Sequence, residues 1–305
     1  MSDSTNKFIK HLGMQLVAGG SAGCLEVSLM HPLDLIKTRF QIQNKLTNPS
    51  GEVYSGLSDC FKKIYRHEGL ISFWKGVVPP ILVETPKRAW KFCTFEQFKK
   101  ILIFSPNQPS ALTYSLAGLG SGITEAIIVN PFEVVKVSIQ SNRQHQSVTP
   151  STFSVARSII KENGLLGNQG LLTKGITGTM GRNGVFNMVY FGFYHSVKEY
   201  FPPFQDTRTE FIRKLCIGFV AGTTASCFNI PFDVAKSRIQ GPQPVKGQVK
   251  YMGTLRSIAL VAKEEGVLAL YKGLLPKILR LGPGGAIMLL VYEHVYDYLK
   301  VKYPD

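Results

Sequence analysis

One eleven-residue pattern occurs three times in this chain, and it constrains the fold more than any other feature. The stretches are "HPLDLIKTRFQ" at 31–41, "NPFEVVKVSIQ" at 130–140 and "IPFDVAKSRIQ" at 230–240. Their prolines, Pro32, Pro131 and Pro231, lie 99 and 100 residues apart. Each is preceded at thirteen and nine residues by a glycine: Gly19 and Gly23, Gly118 and Gly122, Gly218 and Gly222. Each is followed by an acid at +2 (Asp34, Glu133, Asp233), a lysine at +5 (Lys37, Lys136, Lys236) and a glutamine at +9 (Gln41, Gln140, Gln240). Further on come "EGLISFWKG" and "EGVLALYKG", with a stretched middle version, "NGLLGNQGLLTKG". The chain is three copies of one unit, divided as 1–106, 107–205 and 206–305.

Each unit reads as two long helices joined by a polar loop. The first is apolar, carries a small-xxx-small glycine pair suited to close helix packing in a membrane, and is kinked or broken at its proline. The loop holds a short amphipathic helix. Leu57, Cys60, Phe61, Ile64 and Tyr65 recur at helical spacing, as do Leu255, Ile258, Ala259 and Ala262. The aromatic-basic-glycine turn then opens a second long helix, over 77–101, 176–200 and 274–300. The expected fold is therefore all-α, with six long helices. Stretches 12–30 and 111–129 each contain one charge, Glu26 and Glu125, and 215–230 contains none. These lengths suit a bilayer core, which needs about 20 apolar residues.

Composition narrows the partners. Thirty-five Lys and Arg against twenty Asp and Glu give a formal charge of +15, which favours anions. The basic residues are dispersed, which argues against nucleic acid. Five cysteines form no CxxC pair and read as small apolar fillers rather than metal ligands or disulfides. No metal-ligand cluster, phosphate loop or nucleophile elbow suggests a cofactor or an enzyme. The N-terminal "MSDSTNKFIKHLG" lacks an apolar signal core and an Arg-rich transit pattern, so any targeting signal is expected to be internal.

The triple P-x-[DE]-x-x-K pattern, with E-G-x4-[WY]-K-G after it, resembles the mitochondrial carrier family over essentially the whole chain. The resemblance implies six transmembrane helices in a pseudo-three-fold bundle around a central cavity. It implies a monomeric, multi-pass protein of the mitochondrial inner membrane that works by alternating access. At about 100° per residue, the acid, lysine and glutamine of each repeat share one stripe. By resemblance, the acid of one repeat pairs with the lysine of the next in a matrix gate: Asp34 with Lys136, Glu133 with Lys236, Asp233 with Lys37. Gln41, Gln140 and Gln240 would brace these pairs. Offset +7 lies about 140° around the helix from the acid, so Ser138, standing where the other repeats have Arg39 and Arg238, leaves the ring whole.

A cytoplasmic gate is expected from the family's [FY]-[DE]-x-x-[KR] motif. Only Phe95, Glu96 and Lys99 complete it. The second repeat offers His195 and Lys198, the third Glu293 and Tyr296, so at most two of three pairs survive and this gate is the weaker.

Substrate contacts in this family lie on the second helix of each repeat. Counted from Gly76, Gly175 and Gly273, one side of these helices carries Lys87, Arg88 and Lys91, then Arg182 and Asn183, then Arg280. Five cations facing one cavity call for an anion with more than one carboxylate, although Glu84 and Arg88, at i and i+4, could satisfy each other. The residues alone reach a di- or tricarboxylate. The pair Arg182-Asn183 and the stretches "ETPKRAWKF", "GRNGVFNMVYFGFY" and "KILRLGPGGA" are similar to the family's branch for 2-oxo acids. That branch implies exchange of dicarboxylates such as 2-oxoadipate and 2-oxoglutarate; the alternative is citrate, malate or an acidic amino acid.

Glu26 and Glu125 share one offset inside the membrane and read either as proton-coupling groups or as packed hydrogen-bonding partners. His31 and His145 read as solvated. Trp74, Lys75 and Gly76, with Tyr271, Lys272 and Gly273, offer N–H groups at helix starts suited to phosphate; by resemblance these hold cardiolipin. Tyr54, Gly56, Tyr251 and Gly253 match the rest of that motif, and the second repeat, with Thr173 and Ser151, departs from it.

Overall fold

A computed structural model describes residues 2–43, 54–103, 109–142, 150–167, 169–243 and 248–303. Six long helices are α1 (Ser2–Ile42), α3 (Val78–Ile101), α4 (Ala111–Ser141), α6 (Ile176–Tyr200), α7 (Thr207–Gln240) and α9 (Leu274–Lys302). Three short ones are α2 (Leu57–Glu68), α5 (Thr152–Asn163) and α8 (Thr254–Glu265). His145 lies outside the described residues.

The three repeat prolines interrupt nothing. Pro32, Pro131 and Pro231 sit inside continuous helices, so each costs one backbone hydrogen bond without ending the helix. The second long helices start at left-handed glycines: Gly76 at φ +72°, Gly175 at +69° and Gly273 at +86°. A side chain there would be strained.

The long helices close into a ring in chain order, α1–α3–α4–α6–α7–α9 and back to α1. The short helices α2, α5 and α8 pack beside α1, α4 and α7 at one end, around three separate apolar clusters. Leu35, Cys60, Ile64 and Phe73 form the first, Val134, Val135, Ile139 and Leu171 the second, and Val234, Ile239, Val261 and Leu270 the third. In α2 and α8 the apolar residues serve two surfaces. Cys60, Ile64 and Val261 are buried, while Phe61, Tyr65 and Leu255 point outward, where the bilayer interface can take them.

By length and composition, 111–141, 208–240 and 267–302 are apolar enough to cross a membrane. Helices α1, α3 and α6 are not among them. The bundle is apolar outside, with Leu112, Ile127, Phe228 and Leu290 exposed, and polar within. Of the three small-xxx-small glycine pairs, only that of the middle repeat lets the backbone of a neighbouring helix come close. A methyl group on Gly118 or Gly122 would lie 2.6 or 2.5 Å from the carbonyl oxygens of Asn187 and Asn183 on α6. Nothing lies within 4 Å of such a group on Gly19, and only side chains approach it at Gly23 and Gly222.

Candidate functional site

Where α1, α4 and α7 converge, three carboxylates and three lysines interlock across the repeats. Asp34 meets Lys136 at 2.9 Å, Glu133 meets Lys236 at 2.6 Å, and Asp233 meets Lys37 at 2.5 Å. A polar cavity of about 40 Å³ lies among them. Charges this deep are costly unless paired, and here each carboxylate has more than one partner. Arg280 reaches Asp34 at 2.8 Å, Arg182 reaches Glu133 at 2.7 Å, and Lys277 reaches Asp233 at 3.2 Å.

The glutamines do something other than brace these pairs. Gln41 accepts from the Ser237 hydroxyl at 2.8 Å, Gln140 meets His31 at 3.3 Å, and Gln240 donates to Asn130 at 3.0 Å. They stand one helical turn beyond the lysines and pack under the glycine turn of the preceding repeat. A methyl group on Gly76, Gly175 or Gly273 would come within 3.4, 3.0 and 3.1 Å of the Cγ atoms of Gln140, Gln240 and Gln41. The glutamine layer thus seats each second helix on the next repeat.

Above the ring, the predicted ligand cations face the interior, and most already hold an internal carboxylate. Arg280 also grips Glu26 at 2.8 Å. Lys87 and Arg88 both meet Glu84, at 2.5 and 2.6 Å, so the i,i+4 pairing is realised. Arg182 donates to the Asn183 side-chain oxygen at 2.7 Å. Among the described residues Lys91 alone of the five has no carboxylate within ion-pair distance; its ammonium stands 5.3 Å from the centre of the Phe191 ring. Glu125 is buried and accepts from Asn187 at 3.3 Å. An anion entering here meets cations that can exchange an internal acid for an external one.

Arg39 and Arg238, off the ring stripe, are buried cross-links. Arg39 forks onto Glu68 at 2.5 and 2.9 Å and donates to the carbonyl of Gln140, at the end of α4, at 2.8 Å. Arg238 pairs with Glu265 at 2.9 Å and donates to the carbonyl of Gln41, at the end of α1. The middle repeat lacks both halves of this device, with Ser138 for the arginine and Asn163 for the glutamate.

Three further expectations need correction. His31 is not solvated: it is fully buried, with Nε2 2.8 Å from the Lys75 carbonyl, because it fills the space beneath the turn that opens α3. The lysines placed at the phosphate seats are turned inward. Lys75 pairs with Glu68 and Lys272 with Glu265, both at 2.6 Å, and their N–H groups go to Ser72 and Ala269. Tyr54 and Tyr251 are likewise buried against Arg39 and Arg238. What remains outward at those seats are Trp74 and Tyr271 beside Gly76 and Gly273. In the second repeat the Ser151 hydroxyl accepts from the Ser154 N–H at 3.3 Å, occupying the helix start itself.

At the opposite end no inter-repeat ring is assembled among the described residues. Glu96 pairs with Lys99 inside α3 at 2.6 Å. Lys198 and Glu293 are exposed and make no ion pair among the described residues. His195 stacks on Tyr114, ring centres 3.5 Å apart. The bundle is closed by inter-repeat charge pairs at one end, and at the other the only ion pair among the described gate residues lies within one helix.

Sequence reading missed Lys277 and Asn229. The available signal was asymmetry: four residues past the turn glycine the first two repeats have Pro80 and Thr179. Two residues before the proline they have Met30 and Val129.

Three repeats of paired helices around a charged, one-end-closed cavity define a membrane carrier. The family model for mitochondrial carrier proteins matches residues 10–106, 107–204 and 207–303, and the chain belongs to that family, whose members are multi-pass proteins of the mitochondrial inner membrane. It is 60% identical over 293 residues to the mitochondrial 2-oxodicarboxylate carrier of Bos taurus, covering 96% of each chain. The carrier of that name from Homo sapiens is 60% identical over 292 residues, again 96% of each chain. That from Mus musculus is 57% identical over 300 residues, 98% of this chain and 99% of its own.

Proposed function

We propose that this chain is an antiporter exchanging 2-oxodicarboxylates, 2-oxoadipate and 2-oxoglutarate among them, across the mitochondrial inner membrane. It is a transporter and not an enzyme. The observation that carries the reading is that Arg182 and Arg280 hang from the ring carboxylates Glu133 and Asp34. A substrate carboxylate that takes an arginine leaves the ring acid with its lysine alone. Binding and opening are then one exchange of partners, in which the ring acid keeps its lysine while the substrate takes the arginine. Asn183 orients Arg182 for this exchange.

Lys87 and Arg88 lie four to five residues further along their helix than the Arg182 and Arg280 level, about 6 to 7 Å at 1.5 Å per residue. That spacing suits the two ends of a five- to six-carbon diacid. Lys91, with no carboxylate to surrender, receives the anion first. The matrix gate consists of Asp34, Glu133 and Asp233 with Lys37, Lys136 and Lys236, seated by the glutamine layer. Glu96, Lys99, Lys198 and Glu293 assemble a weaker cytoplasmic gate when the bundle inverts. Cardiolipin phosphate sits at the Gly76 and Gly273 turns, flanked by Trp74 and Tyr271, and the working unit is the monomer.

Purified protein in liposomes loaded with 2-oxoglutarate should take up labelled external 2-oxoadipate, with no uptake into unloaded liposomes. Uptake of ATP without uptake of any dicarboxylate overturns the assignment.

A further inference from the structure

The closed end of the bundle departs from three-fold symmetry at one point. The ammonium of Lys277, on α9, lies 3.2 Å from Asp233 on α7, against the Asn229 side-chain oxygen and 5.5 Å from the centre of the Phe186 ring on α6. Asn229 is itself fixed, donating its amide to the Arg182 carbonyl at 3.2 Å. Lysine and asparagine are both peculiar to the third repeat, and they touch.

The way Asp233 is shared sets Lys277 apart. Asp34 gives one oxygen to Lys136 and the other to Arg280, and Glu133 divides its oxygens between Lys236 and Arg182. At Asp233, Lys37 and Lys277 crowd the same oxygen, Oδ2, at 2.5 and 3.2 Å. Two ammonium groups on one oxygen repel each other, so the more distant is held least. Around the cavity nine cations (the three ring lysines, Lys87, Arg88, Lys91, Arg182, Arg280 and Lys277) face six carboxylates (Asp34, Glu133, Asp233, Glu26, Glu84 and Glu125). The balance is three positive charges in excess, and Lys277 supplies one of them.

We infer that Lys277, positioned by Asn229, is a specificity-determining residue that makes this site prefer doubly charged over singly charged 2-oxo acids. The inference rests on the transport reading above. Each unneutralised cation attracts a dianion more strongly than a monoanion of the same shape, and that difference is large in a site of low dielectric. Without Lys277 one such cation is gone, and the advantage of the dianion shrinks.

The test compares 2-oxoglutarate with 2-oxopentanoate, which has the same chain length and a methyl group in place of the distal carboxylate. The KM for 2-oxoglutarate exchange and the inhibition constant of 2-oxopentanoate are measured in liposomes. In Lys277→Met the KM for 2-oxoglutarate should rise about tenfold while the 2-oxopentanoate constant stays level, so selectivity falls about tenfold. Lys277→Arg should restore it. Asn229→Ala, which keeps the charge but releases it, should give a smaller fall, and serves if Lys277→Met does not fold. Selectivity unchanged in Lys277→Met, or in Asn229→Ala where that variant stands in, overturns the role. So does an equal rise of both constants, which a merely structural lysine would give. Unmodified protein that moves no 2-oxoglutarate overturns the transport reading as well, and is seen before any variant is made.

Discussion

Arg280→Ala should reduce exchange by about 100-fold or more while the protein still inserts and purifies. Arg280 joins two helices: from α9 it holds Glu26 and Asp34 of α1, each at 2.8 Å. Truncation removes a bidentate anchor for the substrate and leaves Glu26, which is 8% exposed, without its cation. Losing one partner of a buried charge pair costs about 2 to 5 kcal/mol. At about 1.4 kcal/mol per factor of ten, that is roughly 30-fold to 4,000-fold in the step that uses it. Asp34 keeps Lys136, so the ring survives in part and loss of rate should exceed loss of folded protein. Arg280→Lys retains the charge without the planar fork and should recover only part of the rate. Initial rates of 2-oxoadipate uptake, normalised to reconstituted protein, decide the matter. A rate for Arg280→Ala above about one-third of the unmodified rate would remove this arginine from the site.

How far such a site can be read from sequence depends on whether partners share a register. The repeat period places Asp34, Glu133 and Asp233 at one height and the lysines one turn on, so the ring pairs follow once three-fold symmetry is assumed. The helix starts after Gly76, Gly175 and Gly273 follow from the same alignment. Contacts that break the symmetry do not. Arg280 reaches across to α1 and Lys277 to α7 from the same helix, and no offset rule predicts that split. The glutamines were legible as a face but not as a layer, because what they pack against is another repeat's glycine turn, far away in sequence. The turn motif gives no sign that Lys75 and Lys272 pair with the glutamates before it, the buried Glu68 and the partly buried Glu265. The glycine pairs look equivalent in all three copies, but only Gly118 and Gly122 meet a partner whose backbone can come close.

Arg39→Ala should destabilise the protein by about 3 to 5 kcal/mol, the usual cost of breaking a buried ion pair from one side. The guanidinium is fully buried, forks onto Glu68, and donates to the carbonyls of Gln140 and Asn142, at 2.8 and 3.1 Å, and to the Tyr54 hydroxyl at 3.2 Å. Without it, Glu68, 3% exposed, keeps only the ammonium of Lys75, and two carbonyls at the end of α4 lose a donor. Ser138→Ala is the natural comparison, because it alters the same offset in the repeat that has no such cross-link. It should lie within about 0.5 kcal/mol of the unmodified protein, as an uncoupled substitution does. Thermal unfolding in detergent should therefore separate the two variants widely. The contrast follows from how the closed end is tied: Arg39 joins α1 to α4 and Arg238 joins α7 to α1, while α4 and α7 meet without an arginine between them. Equal melting behaviour in the two variants would mean that the buried guanidinium contributes no more than a serine, and that the three joints are equivalent despite their chemistry.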